Sequence, residues 1–352
     1  MLSSPSGDQY LITFPENVKI HFSGNRYEAN VSSASPIYVV ISSLENIKGQ
    51  MFDFGAIAKM QSNPSGFINK HYQCWNGYLE KVLRPDMPEE YDRIAVKAVV
   101  TLIANWRSSR AGLLHDGVVP SHAVGYFMGF WAWDSWKHAA ALADFAPELA
   151  KNQVRAMFDY QLDNGMIIDC IYTDIRENNA RDSKPPLAAW VNKIFEATAD
   201  TAFVEEMYPQ LLHYYHWWYL DRDHDSNGIC EFGSVDGTLE AAAWESGMDN
   251  AIRFDHAKMV KNSDTAWSFD QESVDLNAFL AYEYSLLKKL AVIAKQTFSE
   301  KEYADIISTY FYDEESGFFF DKKLDGTFVK EPGSEAYVPF WAGIATKEQM
   351  KE

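Results

Sequence analysis

The chain has 352 residues, of which 47% are apolar and 23% charged, the balance of a folded globular protein with a large core. A formal net charge of −19 argues against a nucleic-acid or other polyanionic partner. Three cysteines far apart, Cys74, Cys170 and Cys230, give neither a disulfide framework nor a CxxC metal site. No run reaches the ~18 apolar residues of a membrane span. The first residues, MLSSPSGDQYLITF, lack the basic and apolar regions of a secretory signal, so the default expectation is a cytoplasmic protein.

In chain order, YLITF, VKIHF and IYVVIS read as short strands separated by turn residues. Residues 1–87 are therefore expected to form a β-rich N-terminal segment. From residue 88 helices take over. YDRIAVKAVVTLIANWRSS places Ile94, Val99, Leu102, Ile103 and Trp106 near helical spacing. WDSWKHAAALADFAPELAKNQVRAMFDYQL makes one or two helices, the first capped by Asp134 or Ser135. KPPLAAWVNKIFEAT opens on prolines that suit a first helical turn. DTAFVEEMYPQLLHYYHWWYLDRD puts Phe203, Met207, Leu211, Tyr214 and Trp218 on one side, and QESVDLNAFLAYEYSLLKKLAVIAKQ and SEKEYADIISTYFY come next as helices. Successive helical hairpins with unusual residues in their loops suggest an α/α toroid over residues 88–352, its site built from loops at one end. Periodicity alone would stop at a large all-α domain.

Aromatic residues make up 15% of the chain, with 11 tryptophans. Much of this is core, and the surplus suits sugar rings, whose CH faces pack on aromatic ones. In GYFMGFWAWDSWKHA, Phe130, Trp131 and Trp133 crowd round Asp134. They read either as core at a helix start or as a sugar platform with a carboxylate for hydroxyls. In RDSKPPLAAW, Lys184 is either a solvated lysine or a polar group held at a cleft mouth. In WESGMDNAIRF, Ser246-Gly247 forms a turn that can aim Asp249 into a pit, beside Trp244. Glu245 is a helper or a structural acid, and Arg253 faces Asp249 if the segment is helical. In DRDHDSNGICEFG, Asp223, Asp225, Asn227, the carbonyl of Ile229 and Glu231 follow the alternating oxygen pattern of an EF-hand-like loop, with the closing glutamate early. Oxygen-only ligands favour Ca²⁺, in a structural role.

These motifs, with DEESGFFFD and QESVDLNAFLAYEY, resemble glycoside hydrolase family 63 and share features with the trehalases. The resemblance runs over residues 98–347 and implies a mainly α fold, the (α/α)6 barrel. It also implies an inverting, exo-acting α-glycosidase of α-glucosidase type on oligosaccharides or related glycosides. Asp249 would be the catalytic acid. Phe130, Trp131, Trp133, Asp134, Lys184, Trp244 and Gly247 would line the sugar subsites. Asp223, Asp225, Asn227, Ile229 and Glu231 would form the calcium loop. The family's general base lies beyond the PFWAGIAT-like stretch, and no residue here matches it. Roughly eight helices are read where a closed barrel needs about twelve, so the sequence reads as a partial barrel. A sugar-binding protein without catalysis is the rival reading. Hydrolases of glucosylglycerate, mannosylglycerate or trehalose are the variants within the enzyme class.

Overall fold

The computed structural model describes residues 2–350 apart from 4–8, 16, 17, 25, 44–53 and 186–188. Two compact units divide the chain between Asp92 and Arg93. In the first, Leu2–Ser3, Gln9–Thr13 and Val40–Ser43 form an antiparallel sheet, and Lys19–Ser23 pairs with Arg26–Asn30. Gln9–Thr13, Lys19–Ser23 and Val40–Ser43 lie on the three β-branched runs, while Leu2–Ser3 and Arg26–Asn30 are strands outside those runs. The β-rich reading of residues 1–87 is corrected beyond Ser43. Residues 54–82 are helical, as α1 (Phe54–Ser62) and α2 (Pro64–Val82). The break between them is a helix-start signal: Asn63 Oδ1 accepts from the Gly66 N–H (3.0 Å), and Pro64 occupies the first turn. Helix α3 (Glu89–Ala104) carries Glu89, Glu90 and Asp92 in its first turn, where acids favour the helix dipole. It stops short of Trp106, which instead pairs with Val118 in a two-stranded ladder.

The second unit is built from helical hairpins. The stretch beginning WDSW is two helices, α4 (Ala132–Ala143) and α5 (Pro147–Phe158), broken at Asp144–Ala146 and restarted by Pro147. They pack on each other and on α6 (Ala189–Thr198). The double-proline entry expected for α6 falls partly on Pro186, outside the described residues. Helix α7 (Thr201–Asp221) is capped by Asp200, which accepts from the Phe203 N–H (3.1 Å). Its predicted apolar side, Phe203, Met207, Leu211, Tyr214 and Trp218, is buried. After the short α8 (Leu239–Glu245), the long α9 (Val274–Ile293) packs against α7, α6, α10 (Ala304–Tyr310) and α11 (Val338–Trp341).

The loops between these helices fold into something that periodicity does not announce. Glu231–Ser234, Trp267–Glu272, Asp321–Lys323 and Phe328–Val329 form an antiparallel sheet in that order, and Met259–Lys261 pairs with the second strand. These strands escape pattern reading because they bury polar residues on both faces: Glu231, Ser234, Ser268, Gln271 and Glu272 are buried along with Phe232 and Phe269. Hydrophobic alternation, the usual strand signal, is absent. The sheet and α8 together carry the loops that make the site.

Candidate active site

Helix α8 begins at Thr238, whose Oγ1 accepts from the Ala241 N–H, and ends at Glu245. Glu245 is a structural acid. It binds Arg222 bidentately, Nε to Oε2 at 2.8 Å and Nη2 to Oε1 at 2.9 Å, and accepts from the Gly233 and Ser183 N–H groups. Both side chains are fully buried. The chain then turns. Ser246 Oγ donates to the Ala243 carbonyl and accepts from the Met248 N–H, and Gly247 takes φ +69°. A Cβ at Gly247 would sit 3.2 Å from the Trp133 indole, so this position needs glycine for its backbone and for its space. That near contact joins the WD motif to the ESG-x-D motif.

Past the turn, exposed Asp249 lines a cleft of about 510 Å³ with Ile252, Arg253, Pro332, Gly333 and Glu335. The segment is not an α-helix, and Arg253 does not pair with Asp249, which corrects the one-face expectation. Arg253 turns inward. Its Nη1 reaches Asp275 (3.0 Å) and Asp321 (3.1 Å), and its Nη2 reaches Asp275 (2.8 Å). Asp321 also accepts from Gln271 and from the Val274 N–H. Burial raises the Asp321 carboxyl despite the pull of Arg253.

Lys184 is neither solvated nor at a cleft mouth. It is 5% exposed, with its ammonium 2.7 Å from both Asp169 and Asp182. Asn179 bridges the same two carboxylates. Burial alone would depress the lysine, but its two acids hold it above its ordinary value. A buried ion of this kind is expensive unless paired, and here two acids supply the pairing.

Phe130 is fully buried, its ring edge close over Gly117, so it is core rather than an open platform. Trp131 Nε1 donates to the Tyr126 carbonyl, and its ring meets Phe127 edge-on. Asp134 lies inside the first turn of α4, which starts at Ala132, so neither Asp134 nor Ser135 is its N-cap. Trp133 packs edge-on against Phe279, which in turn meets Trp341. One face of Trp133 is taken by Lys137, whose Nζ is 3.5 Å from the ring centroid and donates to the Trp133 carbonyl. Crowding lowers the Lys137 ammonium to about 8, and Lys184 pushes the same way against Asp134. No carboxylate forms an ion pair with Lys137 among the described residues, whereas Lys184 and Arg253 each hold two. Arg181 covers Trp244 at 4.9 Å.

The loop after α7 gathers Asp223, Asp225 and Glu231, with carboxylate oxygens within 4.8 Å of one another. Asp223 accepts from the Asn227 and Gly228 N–H groups, and Asn227 Oδ1 from the Ile229 N–H. Glu231 is fully buried, and its Oε1 has no partner. An orphaned buried carboxylate oxygen in an oxygen-only cluster fits a hard divalent cation. Asn227 is held from behind by Glu272 (2.8 Å).

The profile of the family described as mannosylglycerate hydrolase MGH1-like glycoside hydrolase domain matches residues 128–352, well over half of the chain. The chain belongs to this glycoside hydrolase family. Mannosylglycerate hydrolases MGH2 and MGH1 of Selaginella moellendorffii are each 26% identical to it over 156 residues, 38% of this chain. The chain spans 30% of the length of those relatives. The crystal structure of a GH63 mannosylglycerate hydrolase from Thermus thermophilus in complex with Tris superposes with a TM-score of 0.57 at 20% identity, covering 72% of this chain and 74% of that one. The same hydrolase in complex with glucose gives 0.56. The helical hairpins of the second unit are thus those of the (α/α)6-barrel class, and the resemblance to family 63 read from the motifs holds.

Sequence reasoning missed Arg222, Asp275, Asp321, Lys137 and Glu335. Lys137 lies over Trp133 one helical turn away, and the others are defined by a partner or a cleft far away in the chain, which no local pattern reports. Glu245→Gln, which leaves Arg222 buried without its counter-charge, is expected to cost about 3–5 kcal/mol of stability in urea unfolding.

Proposed function

We propose that this chain carries the sugar-cleaving site of an inverting α-glycosidase, with Asp249 as the proton donor. The observation that supports this reading is the near contact of Gly247 with Trp133, which sets one tryptophan beside the turn that leads to Asp249 on the cleft. In this chemistry Asp249 protonates the glycosidic oxygen as the bond to the anomeric carbon breaks. Water adds from the opposite face, activated by a second carboxylate roughly 6.5–9.5 Å away. The family resemblance gives that second role to a glutamate C-terminal to PFWAGIAT. Asp249→Asn is expected to lower turnover of an unactivated glycoside by about 10²–10⁴-fold while leaving the affinity for glucose near wild type. Near-normal turnover in that variant sinks the assignment.

Within this class, α-glucosides of oligosaccharides are the first substrate reading. A second is favoured by Lys137, a cation beside Trp133 and Asp134 that forms no ion pair with a carboxylate among the described residues. Glycosides whose aglycone is an acid, such as the glycerate in the name of the matched relatives, would supply the missing anion. D-glycerate binding measured by calorimetry is then expected to fall at least tenfold in Lys137→Gln. In the wild type it should be strong below about pH 8 and fade as the ammonium loses its proton above that. Glycerol binding as tightly as glycerate would remove this reading.

We also propose Ca²⁺ in the loop of Asp223, Asp225, Asn227, Ile229 and Glu231, held by side-chain oxygens and the Ile229 carbonyl. The ion would supply positive charge to a self-repelling cluster and tie α7 to the first strand of the sheet. Calcium at 100 times its dissociation constant is expected to add about 2.7 kcal/mol of stability. Glu231→Gln should abolish that gain, and a melting temperature indifferent to both calcium and chelator would count against the site.

A further inference from the structure

Resting on the glycosidase reading, we propose that Glu335 is a substrate-contacting carboxyl of the Asp249 cleft, accepting a hydrogen bond from a hydroxyl of the bound sugar. Glu335 sits in the short 3-10 turn Ser334–Tyr337 that leads into α11. It lines the same cleft as Asp249 and Arg253 and is only 7% exposed. Beyond its own backbone N–H, no hydrogen bond or ion pair engages its carboxyl among the described residues. The carboxyl lies over Gly333, where a Cβ would come within 2.3 Å of Oε2, so the residue before the turn is kept bare to make room for it.

The obvious counter-charge is already committed. Arg253 gives both terminal nitrogens to Asp275 and Asp321, which leaves Glu335 as a third acid facing one guanidinium. Meanwhile Arg253 Nε–H is buried without a partner. One residue of the cleft wall therefore holds an unspent acceptor and another an unspent donor. Leaving the Arg253 Nε–H buried and unmatched is costly. A sugar hydroxyl in the cleft would donate to the Glu335 carboxylate. The cleft volume, about 510 Å³, falls within the ~300–1,000 Å³ of small-molecule sites.

The test is sugar binding to the full chain, with D-glucose and D-mannose titrated by calorimetry or ligand-observed NMR. Wild type, Glu335→Gln, Glu335→Leu and Asp134→Asn are compared, with thermal unfolding run in parallel. Glu335→Leu is expected to weaken binding at least tenfold and Glu335→Gln by a smaller factor. Both should stay folded. If both Glu335 variants bind sugar as wild type while Asp134→Asn does not, ordered water satisfies Glu335 and only this assignment falls. If Glu335→Leu unfolds, Glu335→Gln with unaltered affinity still overturns it. If the wild type binds neither sugar, the glycosidase reading falls with it.

Discussion

The buried pair of Arg222 and Glu245 is the constraint on which the site's geometry rests. Glu245 ends α8, Arg222 comes directly after α7, and the N–H groups that complete the carboxylate's shell come from Gly233 and Ser183. Four segments distant in sequence are thereby fixed on one group. Such a pair gains little stability over a well-packed apolar one, but its geometry is specific, because a bidentate fork admits one orientation. The residues just beyond Glu245 inherit that orientation: the glycine turn, its near contact with Trp133, and Asp249 on the cleft.

The second unit repeats a single electrostatic device. Lys184 and Arg253 are each nearly buried and each faces two carboxylates, so both centres carry surplus negative charge. Burial raises Asp182 and Asp321 in response. Lys137 stands apart from that scheme, exposed and held over an indole rather than against an acid.

Much of the architecture was legible because helices advertise themselves locally. The apolar side of α7 is buried as its spacing requires, whereas the cap read at Asp134 or Ser135 falls inside α4. The inner sheet was not legible, since its strands are short and bury polar side chains. The turn at Gly247 could be read from its sequence and takes φ +69°, whereas the role of Asp249 came from the family resemblance alone. Lys184 could be located but not understood: its partners Asp169 and Asp182 decide that it is buried, and only the fold brings Asp169 to it. Glu335 had no local signal, because its interest lies in what it lacks.

The amide of Asn227 has a consequence for how this molecule comes apart. Its Nδ2 donates to Glu272, whose other oxygen accepts from the Tyr310 hydroxyl at 2.5 Å. The acidic loop, the central strand of the sheet and the end of α10 are thus links of one polar chain. Opening any of them strands a buried carboxylate, so hydrogen exchange in the three segments is tied to a common opening event. The loop, although it looks like a surface turn, belongs to the cooperative interior.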